Sequence, residues 1–159
     1  VLPGNPDTSA LRYGKICILA DADSDGLHIA TLLCALFLQH YKPLVQEGRI
    51  YVSMPPLYRI DCAKEVFYAL DDSQRDTIVK DLKSRKGKPK INIQRFKGLG
   101  EMNPSQLRET VMDPATRQLV SLTISPNDNA NSVMDLLLAK KRAPDRKEWL
   151  EKKGSLAKV

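Results

Sequence analysis

Cysteine is scarce in this chain, and what there is does not pair by spacing. Cys17, Cys34 and Cys62 are odd in number, far apart and form no C-x-x-C unit. Neither a disulfide framework nor a zinc knuckle is therefore read from them. They read as reduced thiols of a cytoplasmic protein, two of them inside apolar segments. No run approaches the roughly 18 apolar residues of a membrane span. The longest apolar segment, residues 27–38, is short and carries His28 and Thr31. No signal peptide, internal repeat or low-complexity tract is recognisable. A starting methionine is also missing, so the chain, opening at Val1, reads as a fragment.

What is present is ordinary for a globular protein of one or two small domains: 42% hydrophobic and 28% charged residues. A chain of 159 residues is long enough for a real core. The charge is uneven. Residues 1–75 hold 7 Lys/Arg against 9 Asp/Glu, and residues 76–159 hold 18 against 10, giving the overall +6. An acidic focus in one half and a basic excess in the other suit a metal site beside a polyanion. A merely solvated basic surface is the plainer alternative.

Along the chain, residues 1–11 read as a flexible lead-in with two prolines and a glycine. "KICILA" is short and apolar on both faces, as expected of a strand covered on both sides. The segment 27–41 reads as a helix and 43–47 as a helical turn. "RIYVSM" (49–54) is a second strand. Residues 15–54 thus predict a parallel strand–helix–strand unit, an α/β fold with a parallel sheet flanked by helices. After Pro55-Pro56, "LYRID" and "VFYAL" read as strands, 72–84 as a charged surface helix and "RKGKPK" (85–90) as a basic loop. "INIQRF" is a strand, "KGLGEMNP" a glycine-rich loop, and 104–112 a helix capped by Asn103 with Pro104 at its first position. "TRQLVSLTI" alternates like a strand. Two helices follow, over "DNANSVMDLLLAKKRA" and over 144–153, the latter with Asp145 near its start and lysines at its end.

The stretch that carries chemistry is "ILADADSDG", three aspartates at alternate positions beyond the first strand. Carboxylates this close repel, so something must favour holding them together. A calcium hand is excluded. Its twelfth position, counted from Asp21, is Leu32 rather than Glu, and a strand rather than a helix precedes it. A phosphatase or phosphotransferase with a nucleophilic first aspartate is the runner-up. It fits poorly, because Ser24-Asp25 stand where a small or β-branched residue is needed. A magnesium site for phosphodiester chemistry fits better. Mg²⁺ takes a few carboxylate oxygens and completes its shell with water and phosphate. The carboxyl end of a parallel strand is where open α/β sheets bind ligands. On an extended strand end Asp21 and Asp23 point to one side. Asp25 joins them if the extended form persists, or caps the following helix if Gly26 turns the chain; both readings stand. His28, in the first turn of that helix, reads as a phosphate contact. His40 reads as an ordinary surface or capping histidine.

These phrases carry a resemblance. "DADSDGLHIATLL" resembles the D-x-D-x-D-G motif of the Toprim domain in type IIA DNA topoisomerases. "PPLYRI" and "QRFKGLGEMNPSQLRET" resemble B-subunit segments of that family. "GLHIATLLCALF" and the ending "LLLAKKRAPDRKEWLEKKG" resemble its topoisomerase IV branch more than its gyrase branch, from about Leu11 onward. The resemblance implies a partial Toprim domain over 12–54, after the 1–11 lead-in, and an α+β carboxyl-terminal region over 55–159. It implies an ATP-dependent isomerase that cleaves and religates double-stranded DNA, relaxing and decatenating it for chromosome segregation. The partners implied are duplex DNA and the A subunit, in a heterotetramer of two A and two B. The cofactor implied is Mg²⁺, with Mn²⁺ as a substitute. ATP would bind only in the full subunit. By matching positions Asp21 and Asp23 are metal ligands, Asp21 bridging two metal positions, and Asp25 is a less direct third. His28 and Arg146 match DNA-contacting residues, and Arg95 and Lys97 are further backbone contacts. The family's Glu-Gly-Asp-Ser phrase, which supplies a ligand and general acid/base, is not in this sequence. The chain alone is therefore expected to be inactive and to bind metal weakly. A non-catalytic DNA or A-subunit docking module is the alternative, and a gyrase B segment the nearer variant of the main reading.

Overall fold

The computed structural model describes residues 7–85, 89–125 and 129–156. The unit expected around the aspartates forms. Strand β1 (Ile16–Ile18) leads into helix α1 (Ser24–His40), short helix α2 (Lys42–Gln46) and strand β2 (Ile50–Ser53). β1 and β2 pair in parallel, with Ile16 opposite Ile50 and Ile18 opposite Val52. The chain enters β2 through Gly48, whose φ of +67° is the left-handed conformation that closes a helix end. The Gly48 N–H donates to the Val45 carbonyl and the Arg49 N–H to that of Leu44. The sheet is mixed rather than wholly parallel. Its third strand, β6 (Leu119–Ser121), comes from far along the chain and runs antiparallel to β2, with Val120 opposite Val52. Among the described residues no strand covers the outer edge of β1. One core lies between this sheet and α1: Ile18, Ala30, Cys34, Leu38, Leu44, Val45 and Ile50. Leu11 packs against it, and Thr8 Oγ donates to Glu47 at 2.8 Å. The lead-in therefore docks from residue 8; residues 1–6 lie outside the described residues, as do 86–88 of the basic loop.

The second sheet is local and antiparallel. β3 (Tyr58–Cys62) lies between β4 (Glu65–Ala69) and β5 (Ile91–Arg95). β3 alternates strictly. Tyr58, Ile60 and Cys62 are buried under α3 (Asp72–Ser84), which contributes Leu82, Ile78 and Val79. Arg59 and Asp61 face the other way and pair at 2.8 Å. Half-buried alternation of this kind is what one covered face requires. The β3–β4 turn has two residues, and its first, Ala63, takes a φ of +53°.

The remaining elements are shorter than the sequence implies. Asn103 caps α4 (Pro104–Leu107), and a reciprocal bond with Gln106 closes both ends of the capping box. The helix then widens into a π-turn, Arg108–Met112, so the expected helix over 104–112 is made of two geometries. α5 covers Ala130–Leu138 and stops at Ala139, whose ψ of 128° is extended. A 3₁₀ turn, Lys140–Arg142, and α6 (Ala143–Lys153) follow.

Candidate metal centre and nucleic-acid interface

Two residues, Leu19 and Ala20, separate the end of β1 from Asp21, and the three aspartates do three different things. Asp23 is the N-cap of α1: extended at φ −90°, ψ 180°, its Oδ1 accepts the Gly26 N–H at 2.7 Å. The helix starts at Ser24, three residues earlier than its apolar pattern implies. The cap that the sequence allows at Asp25 belongs to Asp23. Asp25 instead sits exposed in the first turn, where the helix dipole favours a negative charge. Gly26 does not end the strand by turning the chain. It lies within the helix because the chain passes too close for a side chain: an added Cβ would stand 2.0 Å from the Asp21 carbonyl oxygen.

Asp21 is held from the other sheet. β5 runs into Phe96, which is buried, with its N–H donating to the Leu57 carbonyl at 2.8 Å. The "KGLG" loop then crosses to the end of β1, and the Leu99 N–H donates to Asp21 Oδ1 at 2.8 Å. A Cβ on Gly98 would lie 3.1 Å from the Asp21 carboxylate, so the small residue lets loop and carboxylate touch. Leu99 also starts a 3₁₀ turn, Leu99–Glu101, and Glu101 Oε2 accepts the Lys97 N–H.

Asp21, Asp23 and Asp25 all border one open concavity of about 380 Å³, floored by Leu19, Ala20, Gly26, Ile29 and Leu99. Among the described residues no three Asp, Glu, His or Cys side chains converge as a complete ligand shell. The donor set still fits Mg²⁺. It is hard oxygen, it is acidic, and it is open, as suits a cation that keeps several waters and takes only one or two protein carboxylates.

The other expected site residues lie apart from this concavity. His28 is exposed on the first turns of α1 but does not line it. Arg146 is half-buried, and its Nη1 donates to the Leu136 and Ala139 carbonyls at 2.9 and 2.8 Å. It thereby ties α6 to the carboxyl end of α5, bonding the Leu136 carbonyl near the helix end and sharing that of Ala139 with the Arg142 N–H. Arg95 and Lys97 are exposed on either side of Phe96, just before the loop that reaches Asp21. Lys140, Lys141, Lys147, Lys152 and Lys153 are exposed on the last turn and helix. What sequence reasoning misses is the backbone donor of Leu99; the weak "KGLG" phrase is its only signal.

A second concavity, also about 380 Å³, lies between β4 and the π-turn, lined by Met54, Val66, Tyr68, Glu109 and Gln118 among others. Tyr68 Oη donates to Glu109 Oε2 at 3.0 Å. Burial, helped by that carboxylate, pushes the Tyr68 phenol above its ordinary pKa. Burial likewise raises the Cys34 thiol.

Residues 88–151 match the family described as DNA gyrase B subunit, carboxyl terminus. Over nearly its whole length the chain is similar to B subunits of DNA topoisomerase 4 and of DNA gyrase. Among its relatives, the B subunit of DNA topoisomerase 4 from Pseudomonas aeruginosa is 64% identical over 157 residues, 99% of this chain and 25% of that protein. Its counterpart from Escherichia coli is 61% identical over 159 residues, again 99% and 25%. The B subunit of DNA gyrase from Thermotoga maritima is 43% identical over 146 residues, 92% and 22%. The topoisomerase IV branch is thus favoured over the gyrase variant. The chain spans about a quarter of the length of the curated relatives it matches. Among the described residues no helix is long and apolar enough to cross a membrane.

Proposed function

We propose that this chain supplies the metal-binding and part of the DNA-binding surface of a type IIA topoisomerase, as a portion of its B subunit. In this reading residues 12–54 are the later part of a Toprim domain. The reaction is double-strand cleavage and religation of DNA, through which linked and supercoiled duplexes are resolved. The observation that carries the proposal is the bordering of one open concavity, at the end of β1, by Asp21 and Asp23. The partners are duplex DNA and an A subunit in a heterotetramer of two A and two B, in the cytoplasm. The A subunit's tyrosine displaces a deoxyribose 3′-oxygen, and ATP is bound by a part of the B subunit that this chain does not include.

Asp21 and Asp23 offer the carboxylate oxygens for Mg²⁺, which when bound there offsets the charge developing on the leaving oxygen. Asp25 adds negative charge at the rim. His28, at the start of α1, meets a phosphate beside the break. Arg95, Lys97 and the exposed lysines of α6 neutralise further phosphates, so binding is tolerant of sequence and falls steeply with salt. Arg146 joins this surface through the guanidinium nitrogens not engaged by α5, while its Nη1 fixes α6 in place.

The test is Asp21→Ala in the complete B subunit, assembled with its A subunit on supercoiled DNA. Loss of Mg²⁺-dependent cleavage with ATPase activity retained is expected; normal cleavage refutes the metal assignment. A docking module without catalysis is favoured by one observation, the exposed apolar side of α1: Ile29, Leu32, Leu33 and Leu36. Under that reading Asp21→Ala leaves cleavage intact.

A further inference from the structure

We propose that the loop of residues 97–100 is a positioning element for Asp21, setting how that carboxylate meets a divalent cation through the Leu99 N–H. The inference rests on the reading of Asp21 and Asp23 as metal ligands, and goes beyond it. The two partners are 78 residues apart in sequence, yet the bond between them is 2.8 Å. Leu99 is the first residue of its 3₁₀ turn, so its N–H has no partner within the turn and is free to serve Asp21. The loop is itself held at both ends. Buried Phe96 anchors it to the second sheet, and the Met102 N–H closes the turn onto the Leu99 carbonyl at 3.1 Å. Gly98 brings its backbone against the carboxylate, where a Cβ would stand at 3.1 Å.

Two consequences follow for a bound cation. The donor fixes the rotation of the Asp21 carboxylate before the metal arrives, as hydrogen bonds from surrounding groups do for metal ligands generally. It also occupies part of Oδ1, so a cation that drew Asp21 away would have to break the Leu99 bond. Occupancy of the concavity and placement of the loop are therefore one coupled equilibrium, and the second sheet, with Arg95 and Lys97 beside the loop, has a route to the metal.

The experiment uses the ¹⁵N-labelled chain, titrated with Mg²⁺ and followed by amide shifts and amide hydrogen exchange. Leu99→Pro deletes the donor at a helical first position, which accepts proline. Leu99→Ala keeps the donor and shortens the side chain. Leu99→Pro is expected to weaken Mg²⁺ binding on the order of tenfold, the lower end for loss of a group that supports a ligand. Leu99→Ala is expected to bind as the parent does. The Leu99 amide is expected to exchange slowly in the parent and fast in Asp21→Ala. Unchanged affinity in Leu99→Pro, or unchanged Leu99 exchange in Asp21→Ala, overturns the coupling. If Leu99→Pro does not fold, Gly98→Ala decides, since it retains every backbone donor and crowds the carboxylate; parental affinity there overturns the proposal. No Mg²⁺ binding by the parent overturns the coupling in this chain, and binding that Asp23→Asn retains in full overturns the metal reading itself. Binding lost in Asp23→Asn but kept in Leu99→Pro overturns only the coupling.

Discussion

Replacing Asp23 by Ala and, separately, by Asn divides its two roles. As the N-cap of α1 it satisfies the Gly26 N–H at 2.7 Å. α1 carries much of the first core, with Ala30, Cys34 and Leu38 buried along it. Asp23→Ala removes that acceptor and is expected to cost about 1 kcal/mol, within the roughly 0.5–2 kcal/mol usual for a lost cap. For a chain of this size that lowers Tm by roughly 2–4 °C. Asn is an equally good cap, so Asp23→Asn keeps the bond and loses only the charge. The lost attraction to the helix dipole, about 0.3–1 kcal/mol, is offset by relief from Asp21 and Asp25 on the same rim. The metal-free Asn variant should therefore melt close to the parent. Mg²⁺ separates the two. At ten times its Kd the ion adds about 1.4 kcal/mol to the parent by mass action, and little to either variant. The assay is urea unfolding followed by circular dichroism, with and without Mg²⁺, at two salt concentrations. An Asn variant as unstable as the Ala variant at high salt would refute the capping argument. Equal Mg²⁺ stabilisation of parent and Asn variant would refute the ligand argument.

Gly26→Ala is expected to destabilise by about 1–3 kcal/mol or more, because the new methyl meets the Asp21 backbone and cannot be avoided by a rotamer change; urea unfolding measures it. Ala63→Gly should stabilise by about 0.5–1 kcal/mol in the same assay, since glycine takes the positive φ of the β3–β4 turn without strain. Arg146→Ala removes the side-chain donor of the Leu136 carbonyl and leaves Ala139 only the Arg142 N–H, and it is expected to loosen α6, seen as faster amide exchange in α5 and α6 at unchanged exchange in β3. Cys34, buried and with its thiol pKa raised, should resist alkylation at pH 8 until the chain unfolds; reaction at the rate of a free thiol would contradict its burial.

The reach of sequence reasoning differs from element to element, for physical reasons. α3 is legible to the residue because Asp71 is a strong cap, accepting the Gln74 N–H at 2.8 Å, and its apolar stripe is flanked by charge. Asn103-Pro104 announces α4 in the same way. These signals are local. The start of α1 is not legible, because Gly26, a residue that usually marks a turn, is demanded here by a close approach inside a helix. The antiparallel partner of β2 cannot be read, since "TRQLVSLTI" identifies a strand but not its neighbour. The aspartates are legible as a candidate site from their spacing, while the Leu99 donor is not. A backbone N–H has no residue type, and the fold alone carries it across 78 positions. Arg146 is legible as a cation only; its tie to the end of α5 depends on where α5 stops.

The return of β6 to β2 makes completion of the first sheet a long-range event. The chain leaves β2 at Ser53 and comes back only at Leu119, so the first sheet is completed by a distant segment. Between these points lie β3, β4, α3 and β5, a sheet that pairs only within itself: β3 meets β4 across a two-residue turn and then meets β5, with Cys62 opposite Ile91. Such local structure forms fast, while closing a long open loop is slow and entropically costly. Once the inserted sheet has folded, the stretch of loose chain left between β2 and β6 is short, and so is the search that remains. The same collapse brings the loop after β5 to the end of β1. The acidic rim is then finished late, and only on a chain whose middle has already folded.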